Sequence, residues 1–202
     1  MKQNILTRRG PAGRSLRGAL AGLVATAPMT GVMLGLKQLL PPIERFPLPP
    51  RRITLHFAAA GHLLGRLPRP LDLLATLLLH FGFGATAGAV YAWTAARVRL
   101  PWHGPHVRVA GRRVRLLAVA RGMAFGLLVW AVSYVGWLPA LGIIAPAQDR
   151  PRRRNLLMIT AHLVWGACAG LLVDAFSPRR RRQGGKRPAP AGAATKGAQH
   201  AA

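Results

Sequence analysis

The sequence predicts an all-α, polytopic membrane protein: four transmembrane helices built from a duplicated two-helix hairpin. Three observations carry the prediction. Four apolar runs reach the roughly 20 residues that a helix needs to cross a bilayer. Charged and apolar residues lie in separate blocks, with 51% hydrophobic residues and 29 Lys and Arg against 4 Asp and Glu, where a soluble surface would mix both signs. A nine-residue pattern also occurs twice, HFGFGATAG at 80–88 and HLVWGACAG at 162–170, 82 positions apart.

The first run, GALAGLVATAPMTGVMLGLKQLL at 18–40, follows a basic arm at 1–17. Lys37 lies near enough to its end to snorkel. Ala25-Thr26-Ala27 gives the A-x-A pattern of a cleavage site, and Thr7-Arg8-Arg9 a trace of a twin-arginine signal. The run continues well past that point and is long enough to span, so it is expected to be retained. After Pro49-Pro50, RRITLHFAAAGHLLGRL at 51–67 reads as an interfacial helix. The remaining spans are LDLLATLLLHFGFGATAGAVYAW at 71–93, GMAFGLLVWAVSYVGWLPALGII at 122–144 and NLLMITAHLVWGACAGLLVDAF at 155–176. Lipid offers no hydrogen bonds, so each run must satisfy its backbone internally, as a helix. Pro28 and Pro139 should kink the first and third.

Loop charge sets the orientation. The N-terminal arm, the loop at 94–121 and the tail at 177–202 together hold nineteen Lys and Arg, and the loops at 41–70 and 145–154 hold nine. Both termini are expected in the cytoplasm of a bacterial inner membrane, with Trp93 and Trp102 in the inner interfacial belt and Trp137 in the outer one. The tail cannot bury a core and should be disordered. Its Arg179, Arg180, Arg181 and Arg182 follow the last helix directly, where they act as a topology signal and dock on anionic lipid headgroups.

A net charge of +25 raises nucleic acid as a partner. A nucleic-acid-binding domain, however, sets its basic residues among polar ones and lacks long uncharged runs, so none is expected. Cys168 is the only cysteine, so an intrachain disulfide is excluded. The sequence contains no P-loop, G-x-S-x-G, carboxylate pair or Cys–His dyad, and Ser133 has no base on its own helix stripe. No catalytic residue is assigned. His56 and His62 do not share a helical face, and His103 and His106 flank Gly104-Pro105 without Cys or carboxylate nearby, so no metal site is expected.

The repeat extends to the other two helices. Arg17-Gly18 with Gly22-Leu23 matches Arg121-Gly122 with Gly126-Leu127, so helix one resembles helix three and helix two resembles helix four. Two spans per unit insert the same way up, which implies a pseudo-two-fold along the membrane normal. All four spans contain G-x-x-x-G: Gly18/Gly22, Gly84/Gly88, Gly122/Gly126 and Gly166/Gly170. Small residues four apart let helix backbones approach closely, so these glycines are read as packing residues.

His80 and His162 lie on the same stripes as those glycines and therefore face the interior, in the outer half. Ionisable groups inside a membrane are costly and tend to carry function. The simplest role is a hydrogen bond to a neighbouring helix, at Ser133, Tyr134 or Thr30. A second is a central cleft for a proton or polar solute, with Asp174 on the His162 stripe, or paired with Arg17 or Arg121. A third is axial ligation of a b-type haem by His80 and His162. The corresponding functions are a small carrier or accessory subunit, a redox protein, and a structural subunit of a larger complex. In a carrier, four spans leave little room for a pore, which favours a homodimer.

The segments GALAGLVATAPMT, GLLVWAVSYVGWLPALGI and AHLVWGACAGLL resemble the small YagU-like bacterial inner-membrane proteins across residues 17–176. The resemblance implies an integral inner-membrane protein and supplies no catalytic residue.

Overall fold

The computed structural model describes residues 10–60, 69–98, 105–109 and 112–177. It is an all-α bundle with four helices long and apolar enough to cross a membrane. The first is α1 (Pro11–Gln38). After a short 3-10 turn come α2 (Pro49–Ala60) and α3 (Arg69–Arg97). A two-stranded antiparallel hairpin, β1 (His106–Val109) and β2 (Arg112–Arg115), leads into α4 (Leu116–Ala131). A π-helical segment (Val132–Trp137) follows, then a single turn, α5 (Leu138–Ala140). The last helix is α6 (Arg152–Phe176).

Several boundaries differ from expectation. The first helix starts at Pro11, so it takes in the second half of the predicted arm. Pro fits the first turn because its missing N–H would have no helical partner there. At 28 residues, α1 is about 42 Å long, enough to pass through both headgroup layers. It also runs through Pro28 without interruption. The helix at 51–67 is seen as far as Ala60; His62, His103, Trp102 and the tail with Arg179–Arg182 lie outside the described residues. The β-hairpin was not foreseen, although in the sequence Val107, Val109 and Val114 alternate with polar residues on either side of a Gly-containing break, a strand and hairpin signal.

The third span departs from α geometry at Val132, seven residues before Pro139, and the break centres on Gly136 (φ −101°, ψ −109°). Pro139 is still the cause, because it cannot donate to the Val135 carbonyl and its ring crowds it. The helix widens upstream and restarts with Pro139 in the first turn of α5.

The spans pack in the order α3, α1, α6, α4, and α3 and α4 barely meet. Within each hairpin, glycines bring backbones together. A Cβ on Gly22 would sit 2.8 Å from the Gly88 Cα, and one on Gly122 would sit 2.9 Å from the Gly170 Cα. Both are closer than carbon atoms tolerate, so only hydrogen fits. The two contacts use the same device in a register that differs from the sequence match. Gly22 opposes Gly84 and Gly88 as Gly122 opposes Gly166 and Gly170. Gly22 thus corresponds in contact to Gly122, whereas the sequence match had paired Gly22 with Gly126. The displacement is one helical turn, and at the position of Gly126 the first hairpin carries Thr26.

Between the hairpins, α1 and α6 share a core of Ala25, Met29 and Met33 against Leu157, Met158, Ala161 and Trp165. The Trp165 Nε1 donates to the Gly22 carbonyl at 3.1 Å. The outward surfaces of the helices are rich in exposed Leu and Val, including Leu73, Leu78, Leu128, Val135 and Leu156, as a lipid-facing surface requires. At the end away from the termini, Arg154 is 2% exposed. It donates to the carbonyls of Glu44, Phe46 and Pro47 and stacks on the Phe46 ring. This arginine in the first turn of α6 is thus a clamp on the chain between α1 and α2.

Replacing Gly22 or Gly122 with Leu should destabilise the protein by at least about 2 kcal/mol, the upper part of the range for overpacking. Gly31→Leu should be nearly silent, because a Cβ there meets nothing within 4 Å. Unfolding monitored by circular dichroism in mild detergent checks this contrast.

Candidate functional site

Because α3 and α4 barely meet, a cleft of about 400 Å³ opens between α3 and the α4–π segment, over a floor of α1 and α6. Pro49, Pro50, Ile53 and Phe57 of α2 close one edge. Met29, Met33, Phe83, Met158 and Trp165 make most of its wall, and Thr26, His80, Ser133, Tyr134 and His162 are its polar members. No Lys, Arg, Asp or Glu lines it among the described residues.

The predicted site residues within the helices can each be placed. His80 and His162 line the same cleft. The His80 Nε2 lies 3.1 Å from Thr30 Oγ1, and the Thr30 hydroxyl donates to the Thr26 carbonyl at 2.8 Å. With its hydrogen committed there, Thr30 accepts from His80, which therefore carries a proton on Nε2. His162, 6% exposed, places Nδ1 2.7 Å from the Met158 carbonyl. A carbonyl only accepts, so His162 carries a proton on Nδ1. In their neutral forms the two histidines are opposite tautomers: His80 keeps its lone pair on Nδ1 and His162 on Nε2. Among the described residues no donor reaches the His162 Nε2.

Ser133 and Tyr134 are buried by the π segment and turned to the cleft. Ser133 Oγ accepts from Trp137 Nε1 at 3.3 Å. Trp137 also lines the cleft. The Tyr134 ring stands edge-on to His162, with centroids 6.0 Å apart, and its hydroxyl is buried without a hydrogen-bond partner among the described residues. Above it, Arg150 Cζ lies 5.3 Å from the Tyr134 ring centroid. Burial lowers the Arg150 pKa from its ordinary value, and the neighbouring Tyr134 opposes that shift.

Asp174 is not part of the cleft. It shares the His162 stripe, but twelve residues of helix carry it about 18 Å away, to the opposite end of the bundle. Among the described residues no salt bridge joins it to Arg121. Arg115 holds it, with Nη2 and Nε donating to Oδ1 at 2.7 and 3.1 Å and the backbone N–H to Oδ2 at 3.1 Å. The unforeseen β2 strand delivers that arginine, which explains why spacing within the helices missed it. Thr30, the partner of His80, had been one of three candidates.

The glycines Gly18, Gly22, Gly84, Gly88, Gly122, Gly126, Gly166 and Gly170 all meet backbone or small side chains of the same chain. Among the described residues no group of three or more His, Cys, Asp or Glu could hold a metal ion. No known protein family, curated protein or solved structure matches the chain.

The tautomers are directly measurable. At pH 8, histidine ¹⁵N spectra of the protein in bilayers should give an Nδ1–H signature for His162 and an Nε2–H signature for His80. Thr30→Val should release His80 into a mixture of tautomers and leave His162 unchanged.

Proposed function

We propose that the protein is a small binding protein of the bacterial inner membrane, a carrier or accessory subunit, with both termini in the cytoplasm. Its cleft takes a neutral, largely apolar molecule with a hydroxyl head, such as a long-chain quinol or lipid alcohol. One observation carries the reading: an uncharged apolar cleft in which His162 offers an unmatched lone pair. An anionic head would meet no cation there, and a charged head would pay desolvation without a partner. A hydroxyl donor would satisfy Nε2, and the apolar wall would hold the tail. The cleft is formed within one chain, so binding does not call for the homodimer that a pore would need.

The redox alternative, axial ligation of a haem by His80 and His162, fits on one side only. His162 is arranged as a ligand, with Nδ1 oriented by a carbonyl and Nε2 free. His80 has its Nε2 engaged by Thr30, so the pair does not fit a haem as it stands. The structural-subunit alternative loses the surface it relied on, since the glycine faces are filled from within the chain.

A long-chain quinol should bind the purified protein about fivefold more tightly than its dimethyl ether, the worth of one net hydrogen bond of about 1 kcal/mol. His162→Phe should abolish the difference while leaving apolar binding in place. Equal affinity of the quinol and the ether for the unaltered protein would sink the proposal. A Soret band with sharp reduced α and β bands would establish the haem reading instead.

A further inference from the structure

A second pocket lies at the other end of the bundle, where the N-terminal turns of α1 and α4 meet the C-terminal turns of α3 and α6. It holds about 180 Å³ and is lined by Arg14, Arg17, Arg115 and Arg121, with Asp174 as its one carboxylate. Arg115 engages that carboxylate through two guanidinium nitrogens and its backbone N–H, so Asp174 is already committed. Arg17 is 8% exposed. The Arg14 Nε and the Arg121 Nε and Nη2 are buried without a hydrogen-bond partner among the described residues. A charged guanidinium with buried, unsatisfied donors is expensive unless an anion meets it.

The geometry points to a site for a phosphate group. With Arg115 and Asp174 paired, Arg14 and Arg121 leave two positive charges with unsatisfied donors in the pocket, which matches a dianion. The guanidinium fork matches phosphate oxygens in pairs, a fit that an ammonium group lacks. The opposing wall, Ala92, Ala95, Ala96 and Gly170, is made of side chains small enough to leave the guanidinium groups accessible. The volume is enough for a phosphate and a few attached atoms. The phosphate is either the headgroup of an anionic lipid or a soluble phosphate ester. The site is separate from the cleft and does not depend on what the cleft binds.

The test measures thermal unfolding of the full chain in a neutral detergent with two probes. Inorganic phosphate is compared with chloride at equal ionic strength, and phosphatidylglycerol with phosphatidylcholine added to the micelles. Stabilisation by phosphatidylglycerol alone identifies a lipid headgroup, and stabilisation by inorganic phosphate identifies a soluble ligand. In either case Arg14→Gln with Arg121→Gln should weaken the apparent affinity at least tenfold. Arg152→Gln with Arg153→Gln, which removes the same charge from exposed positions at the opposite end, should leave it within twofold. If the double variant fails to fold, the single Arg14→Gln, in the first turn of α1, replaces it. No shift with either probe, or an equal loss in the Arg152/Arg153 control, would overturn the proposal.

Discussion

Direct backbone contact at glycine is the constraint on which the rest of this structure depends. Lipid tails are as apolar as leucine, so burial gives little reason for two spans to associate. Close contact does, because it adds dispersion and weak Cα–H···O contacts that larger side chains would prevent. Gly22 against Gly88 and Gly122 against Gly170 tie each hairpin into a unit. The seam between units is different in kind. There α1 and α6 meet through Ala, Met and Trp side chains, with one hydrogen bond from Trp165 to the Gly22 carbonyl.

The cleft follows from that division. Two tight hairpins joined along α1 and α6 hold α3 and α4 apart, and the space between them is left to apolar side chains and two histidines. The π segment then turns Ser133, Tyr134 and Trp137 inward, a role often seen for π-helical turns at functional sites. Polar groups are thereby sorted to opposite ends. The neutral, hydrogen-bonded ones stand in the apolar cleft, and Arg14, Arg17, Arg115 and Arg121 line a separate pocket at the other end.

Much of the fold could be read from the sequence because lipid allows so few backbone arrangements. Length and hydropathy alone located all four spans, with boundaries off by as much as seven residues, and the G-x-x-x-G stripes indicated which faces needed small residues. What could not be read was register. Arg17-Gly18 matches Arg121-Gly122 in sequence, yet in contact Gly22 corresponds to Gly122, because a stripe of small residues looks the same when shifted by one turn. The same shift gives the histidines different partners: Thr30 stands where His80 can reach it, while His162 turns to a carbonyl on its own helix. Asp174 shares the His162 stripe yet does not reach the cleft, because a helical stripe fixes direction around the axis and says nothing of depth along it. Arg115 was missed because a short hairpin outside the apolar runs carries it.

The central claim is that the glycine faces close within one chain, and magnetic resonance in bilayers tests it most directly. A Cβ on Gly22 would lie 2.8 Å from the Gly88 Cα, and one C–C bond adds at most about 1.5 Å. The two Cα atoms are therefore within about 4.3 Å. With ¹³Cα-glycine labelling, the account predicts cross peaks for Gly22–Gly88 and Gly122–Gly170 that keep their intensity when labelled chains are diluted into unlabelled ones. Cross peaks that fade on dilution would place the glycine contacts between chains and contradict it.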